Sequence, residues 1–372
     1  MKLKTAIIAL CVMLILLSGC AIDGETLSIT PRTVIPEEGT DDPTEKLEVS
    51  NYDELVAAIL SLITHHVEEG QITVYGYIGD VKGDVLRAIY EIQKYDPLAA
   101  FAVYEITEEI RRIVTYYEID IRIEYRRTRR ETEAIISIQS FSELEYEIFY
   151  SMREYRDEMI FRTSLGGITA QYIEELARNL YYQNPHQIVM APVVFVYMFP
   201  ENYQDDKIVE LIFRHVDYAS ILRLNTQGLA RSIEHIKGSA DGENVVELLH
   251  SIADILIAAV EFDVGVARII SEHGAQDWTA TAYGALINRN AVGEGFAMAF
   301  RVLCDALDIE SRVVLGYLDG MVHAWNIVLI DGEYYHIDIT MGTKTEELEY
   351  VFLRTEAEFL EMGYSWDENN IR

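Results

Sequence analysis

The chain has 372 residues, half of them hydrophobic, with 62 acidic against 30 basic side chains and a formal net charge of −32. That length and apolar content suffice for two or three domains with large buried cores. So acidic a surface is repelled by phosphate backbones and anionic headgroups, which excludes nucleic acid as a partner. The nine histidines show no zinc-ligand spacing, and the three cysteines (Cys11, Cys20, Cys304) form no metal-binding pair, so neither metal nor cofactor is expected.

At the N-terminus, Lys2 and Lys4 precede an apolar run from Ala6 to Leu17 that ends in Ser18-Gly19-Cys20. A charged start, a short apolar stretch and small residues before a cysteine describe a secretory signal of the lipobox type over residues 1–19. The run is shorter than the ~20 residues that cross a bilayer. Cleavage before Cys20 and acylation of its thiol would anchor the chain through lipid to the extracytoplasmic face of a bacterial membrane. Residues 20–45 hold Pro31, Pro36, Pro43, Gly24 and Gly39 among Thr, Glu and Asp, a composition that reads as a flexible tether. With Cys11 removed and Cys20 acylated, Cys304 remains the single thiol and no intramolecular disulfide can form.

Two copies of one pattern follow, at residues 46–136 and 137–224. Tyr52-Asp-Glu-Leu recurs as Phe141-Ser-Glu-Leu, Asp96-Pro as Asn184-Pro and Tyr125-Arg as Phe213-Arg, at offsets of 88 and 89 residues. Each copy predicts helix, strand, helix, turn, strand, strand. Leu55, Ile59, Leu62 and Ile63 have helical spacing, and Ile119, Ile121, Ile123 and Tyr125 alternate as in a strand. Asp96-Pro97 closes the second helix, because the residue before proline disfavours helical geometry. Tyr116-Tyr117, Tyr181-Tyr182, Phe195, Tyr197 and Phe199 either line a binding face or pack a sheet. Arg126, Arg127, Arg129 and Arg130 read as a solvent-exposed strand end between the copies.

In residues 225–372, Val245, Leu248, Leu249, Ile252, Ile255 and Leu256 predict one helix. A loop through Gly274 and Trp278 leads to a second, starting near Gly293, with Phe296, Phe300, Leu303, Cys304 and Leu307 on one face. Asp331-Gly332 signals a two-residue hairpin. Its register sets Trp325 opposite Asp338 and His323 opposite Thr340, so Asp338 becomes a diagonal neighbour of His323 on the same face. Cys304 lies three helical turns beyond Gly293, ~16 Å deeper, out of reach of His323.

Thr281-Ala-Tyr-Gly-Ala-Leu, Val292-Gly-Glu-Gly-Phe-Ala, His323-Ala-Trp-Asn and Asp338-Ile-Thr together resemble the transglutaminase-like superfamily. The resemblance implies an α+β, papain-like domain after the two α/β modules. It also implies a Cys-His-Asp triad whose cysteine follows the valine of Val-Cys-x-Gly-Tyr-Ala. Gly293 stands at that position, while His323 and Asp338 fill the other two. Phe296 replaces the motif's tyrosine, and Met341 stands where the family has tryptophan. Tyr283 and Trp325 are the candidates for lining the substrate groove. The pattern points to a pseudoenzyme that binds a peptide, a protein or a cell-envelope component. Two other functions stay open: an active acyltransferase or cysteine-protease-type hydrolase, through a misread codon or another nucleophile, and a structural spacer.

Overall fold

The computed structural model describes residues 47–201, 206–273, 276–345 and 348–372. The signal sequence, Cys20 and the tether lie outside the described residues.

The first module runs β1 (Leu47–Val49), α1 (Tyr52–Thr64), β2 (Glu69–Tyr75), α2 (Val81–Tyr95), α3 (Pro97–Ala102), β3 (Val103–Ile113) and β4 (Tyr116–Tyr125). Helix α1 starts where the Asn51 side chain accepts the Glu54 N–H, and it buries Leu55, Ile59, Leu62 and Ile63. Asp96-Pro97 ends α2 as expected, and the same aspartate then caps α3 through the Ala99 N–H. After α4 (Arg129–Glu133), the second module repeats the plan with β5 (Ile136–Ser137), α5 (Phe141–Arg153), β6 (Glu158–Thr163), α6 (Ala170–Gln183), β7 (Val193–Phe199) and β8 (Lys207–Arg214). The sheet orders are β1-β2-β4-β3 and β5-β6-β8-β7, so the copies share one topology. Each begins with a short strand paired in parallel to the next one, which the sequence pattern was too brief to indicate.

Of the arginine cluster, Arg126, Arg129 and Arg130 are exposed as expected, and Arg127 is not. Arg127 does not end in solvent; it forks onto both carboxylate oxygens of Glu210 on β8 at 2.6 and 2.7 Å, and lies over the Phe101 ring. Glu210 is buried, and only a paired carboxylate is tolerated there. Arg126 holds the Val103 carbonyl. Arg127 alone of the four thus ties the connection to the second module, beside a small apolar contact of Phe101, Ala102, Ile160 and Ile208. Of the aromatics, Tyr181 and Tyr182 are core, whereas Phe195 and Tyr197 stay exposed on β7.

Helices α7 (Ala219–Lys237), α8 (Val245–Ala259) and α9 (Val264–His273) follow, with β9 (Glu261–Phe262) between the last two. The position 224/225, where the modules were expected to end, falls inside α7. A 3-10 turn (Trp278–Ala280), a π turn (Gly284–Asn288) and β10 (Asn290–Ala291) lead to α10 (Gly293–Ala306). Then come β11 (Ser311–Leu318), β12 (Met321–Ile330), β13 (Glu333–Ile337), α11 (Ile339–Thr345), a 3-10 turn (Leu348–Val351), α12 (Glu356–Glu361) and β14 (Tyr364–Ile371). The sheet order is β13-β12-β11-β14, all antiparallel. Helix α10 is buried on nearly every side rather than along one stripe, because β11 and β12 cover one flank and α7 and α8 the other.

Two large cores result. One belongs to the first module alone, from Val49 to Ile123. The other runs without interruption from Ile138 of the second module to Phe352 of the C-terminal region.

Candidate active site

Helix α10 begins at Gly293, and Val292 before it offers no side-chain cap. The first backbone N–H groups of the helix therefore remain available at the positive end of its dipole. The start is fixed from behind: the Val292 N–H bonds the Thr279 carbonyl at 2.9 Å, and a Cβ on Gly295 would run into that same oxygen. Glycine is obligatory at 295. At 293 it is not, since φ is not left-handed and the atoms nearest an added Cβ would be His323 Nδ1 at 3.3 Å, Cε1 at 3.4 Å and the Ala324 nitrogen at 3.6 Å.

His323 reaches this point from β12. The hairpin pairs Ile330 with Glu333 and Asn326 with Ile337, the expected register, over Asp331 and Gly332 at φ 52° and 88°. Strand β13 stops at Ile337, however, so Thr340 does not face His323 but belongs to α11. Asp338 turns in at the strand end, and His323 Nε2 lies 2.6 Å from its Oδ2. Donation through Nε2 to that carboxylate leaves Nδ1 directed at position 293.

Asp338 is fully buried, and two further hydrogen bonds hold it. Tyr364 on β14 donates its hydroxyl to Oδ2 at 2.7 Å, and the Met341 N–H bonds Oδ1 at 3.0 Å. Burial pushes the carboxyl pKa up, but the His323 charge and these hydrogen bonds outweigh it and hold the pKa below the ordinary value. Tyr364 was not among the residues picked out from sequence.

Trp325 shares the face of His323, as alternation required, but it is not a groove residue. It is buried among Phe359, Tyr364 and Trp366, with its indole N–H donated to His336 Nδ1 at 2.9 Å. Tyr283 is likewise off the groove, half-buried against Trp278 with ring centroids 5.1 Å apart. Cys304 sits within the core, where burial raises its thiol pKa far above the range in which it reacts.

Two cavities meet at this centre. The first, about 450 Å³, is lined by Gly293 and His323 with Phe262, Arg268, Ile270, Leu315, Leu318 and Met321, and no Ser, Thr or Cys is among its lining residues. The second, about 500 Å³, shares Ile270, Glu294 and Leu315 with it and extends between α6 and the segment 190–194 of the second module. Glu294 marks the junction. Tyr182 of the second module donates to its Oε1 at 2.7 Å, and burial raises the carboxyl pKa despite that bond. Among the described residues, no group of three His, Cys, Asp or Glu side chains could hold a metal ion.

Residues 234–339 match the model of the transglutaminase-like superfamily. A search of curated proteins gives no match. Among solved structures the chain is similar to a TGase, at 11% identity and a TM-score of 0.31, covering 62% of this chain and 65% of that one. It is also similar to a Cytophaga hutchinsonii protein with a provisional cysteine-protease designation, at 17% identity and a TM-score of 0.25, covering 46% and 70%. The match over Gly293, His323 and Asp338 identifies residues 234–339 as a transglutaminase-like superfamily domain.

Proposed function

We propose that the C-terminal domain binds a peptide or a peptide-bearing cell-envelope component without transferring its acyl group, and that Cys20 anchors the protein by lipid to the extracytoplasmic face of a bacterial membrane. One observation carries the reading: His323 Nδ1 lies 3.3 Å from where a Cβ on Gly293 would be, so the base is in place and no nucleophile stands before it. The free N–H groups of α10 suit a carbonyl or carboxylate oxygen, and the apolar walls of the first cavity suit the side chains beside it. The same donors that would stabilise a tetrahedral oxyanion hold a ground-state carbonyl when no attack follows.

Restoring the thiol tests this. In the Gly293→Cys variant the cysteine would start a helix beside an imidazole, two features that depress a thiol pKa. We expect iodoacetamide to label it about tenfold faster than free cysteine at pH 7, while native protein labels only slowly at Cys304. Native protein should not turn over acyl-donor peptides. Thioester or amide product from the native chain would overturn the binding reading, and an unreactive introduced thiol would remove Gly293 from the site.

A further inference from the structure

The duplication supplies an internal control for edge chemistry. In both modules the third strand lies at the sheet edge: β3 in the first, β7 in the second. Strand β3 carries Glu105, Glu108, Glu109, Arg111 and Arg112, the charges by which natural edges resist pairing. Strand β7 reads Val-Val-Phe-Val-Tyr-Met-Phe and carries neither charge nor proline. Val193, Phe195 and Tyr197 are 43%, 44% and 48% exposed. Among the described residues, no backbone hydrogen bond other than those to β8 involves residues 193–199.

This edge opens onto the site. Pro192, Val193 and Val194 line the second cavity, which joins the first through Ile270, Glu294 and Leu315. We propose that β7 captures an extended polypeptide segment by strand addition and directs it into the second cavity towards His323. A strand edge presents alternating N–H and C=O groups that another peptide backbone matches ~4.8 Å away, and sugars or acyl chains do not. Glu174 and Asp277 outnumber Arg178 on the cavity wall, which favours an uncharged or basic segment over an acidic one. The proposal deepens the peptide-binding reading and rests on it for the direction in which the segment runs.

The test is fluorescence polarisation of the full chain with a labelled, end-blocked peptide, Ser-Thr-Val-Thr-Val-Gln-Thr-Val-Thr-Ser. Two analogues carry N-methyl groups on its odd or its even residues, so that each loses the hydrogen-bond donors of one edge. Strand addition predicts that one analogue binds at least tenfold more weakly and the other does not. It also predicts at least a tenfold loss in the Phe195→Lys/Tyr197→Lys double variant, whose changes lie on an exposed face and whose folding is checked by its melting curve. Absence of peptide binding, equal binding of both analogues, or unchanged binding by the double variant overturns the proposal. So does a native dimer that the double variant dissociates without any peptide binding, since β7 would then pair with a second copy. Gly293→Trp, which fills the first cavity, separates the two readings. If it leaves edge-dependent binding intact, the edge stands and the groove reading falls; if it weakens binding while β7 changes do not, the groove stands and the edge falls.

Discussion

Asp338 accepts hydrogen bonds from an imidazole, a phenol and a backbone N–H, and this set explains how a fully buried carboxylate keeps its charge. Its link to His323 was legible because a two-residue turn fixes strand register, and register fixes diagonal neighbours. Tyr364 was not legible, since local pattern does not reveal that the last strand returns beside β11. For Trp325, alternation gave the correct face but could not show that Phe359 and Tyr364 cover it. In the Gly293→Cys background, Tyr364→Phe should slow iodoacetamide labelling about threefold to tenfold, with stability lowered by about 2 kcal/mol, the net value of a hydrogen bond to a charged group. Alkylation rates and denaturant melts measure the two effects separately. His336 supplies a pH signature nearby. Burial pushes its pKa down to about 4, so the folded state favours the neutral ring that accepts the Trp325 N–H. The unfolded chain therefore binds the proton first as pH falls. Stability attributable to this site should decline between pH 6.5 and 4 at no more than about 1.4 kcal/mol per pH unit. Melts across that window should show a shallower decline in His336→Gln.

Among the elements, the repeat offsets announced the two modules and the helical spacing announced α8 and α10. Helix α9 was read as loop. Its apolar residues do not form one buried stripe: Val264 is 72% and Ile269 50% exposed, and Gly265 weakens the pattern further. That omission affects the site, because Ala267, Arg268 and Ile270 of α9 line the first cavity. Arg127 alone of the arginine cluster departs from an exposed strand end, since sequence shows charge but not the buried acid opposite it on another strand. Removing that acid should be costly. We expect Glu210→Ala to destabilise the protein by about 2–3 kcal/mol, less than a fully buried pair because Arg127 keeps some contact with water. Chemical denaturation should show this, and limited proteolysis should reach the connection between the modules sooner.

At the scale of the whole molecule, a charge of −32 disfavours contact with anionic headgroups, so the proposed membrane association rests on lipid at Cys20 and is testable there. Cys20→Ser should move the protein from the membrane to the soluble fraction on centrifugation, and unchanged partitioning would remove the anchor. Among the described residues no helix is long and apolar enough to cross a bilayer.

The uninterrupted core from Ile138 to Phe352 bears on how this architecture could have been assembled and how it can be divided. The two modules share one topology, and the first has an interior of its own, but the second does not. Its interior has fused with that of its neighbour, and its Tyr182 reaches the carboxyl beside Gly293. The repeating unit and the unit of packing are therefore different lengths of chain. A gene fragment opening at 225 would cut α7 and strip one wall from the second cavity. One opening ahead of β5 would carry the complete groove and leave the first module, with its separate interior, as the part that evolution or an engineer can exchange.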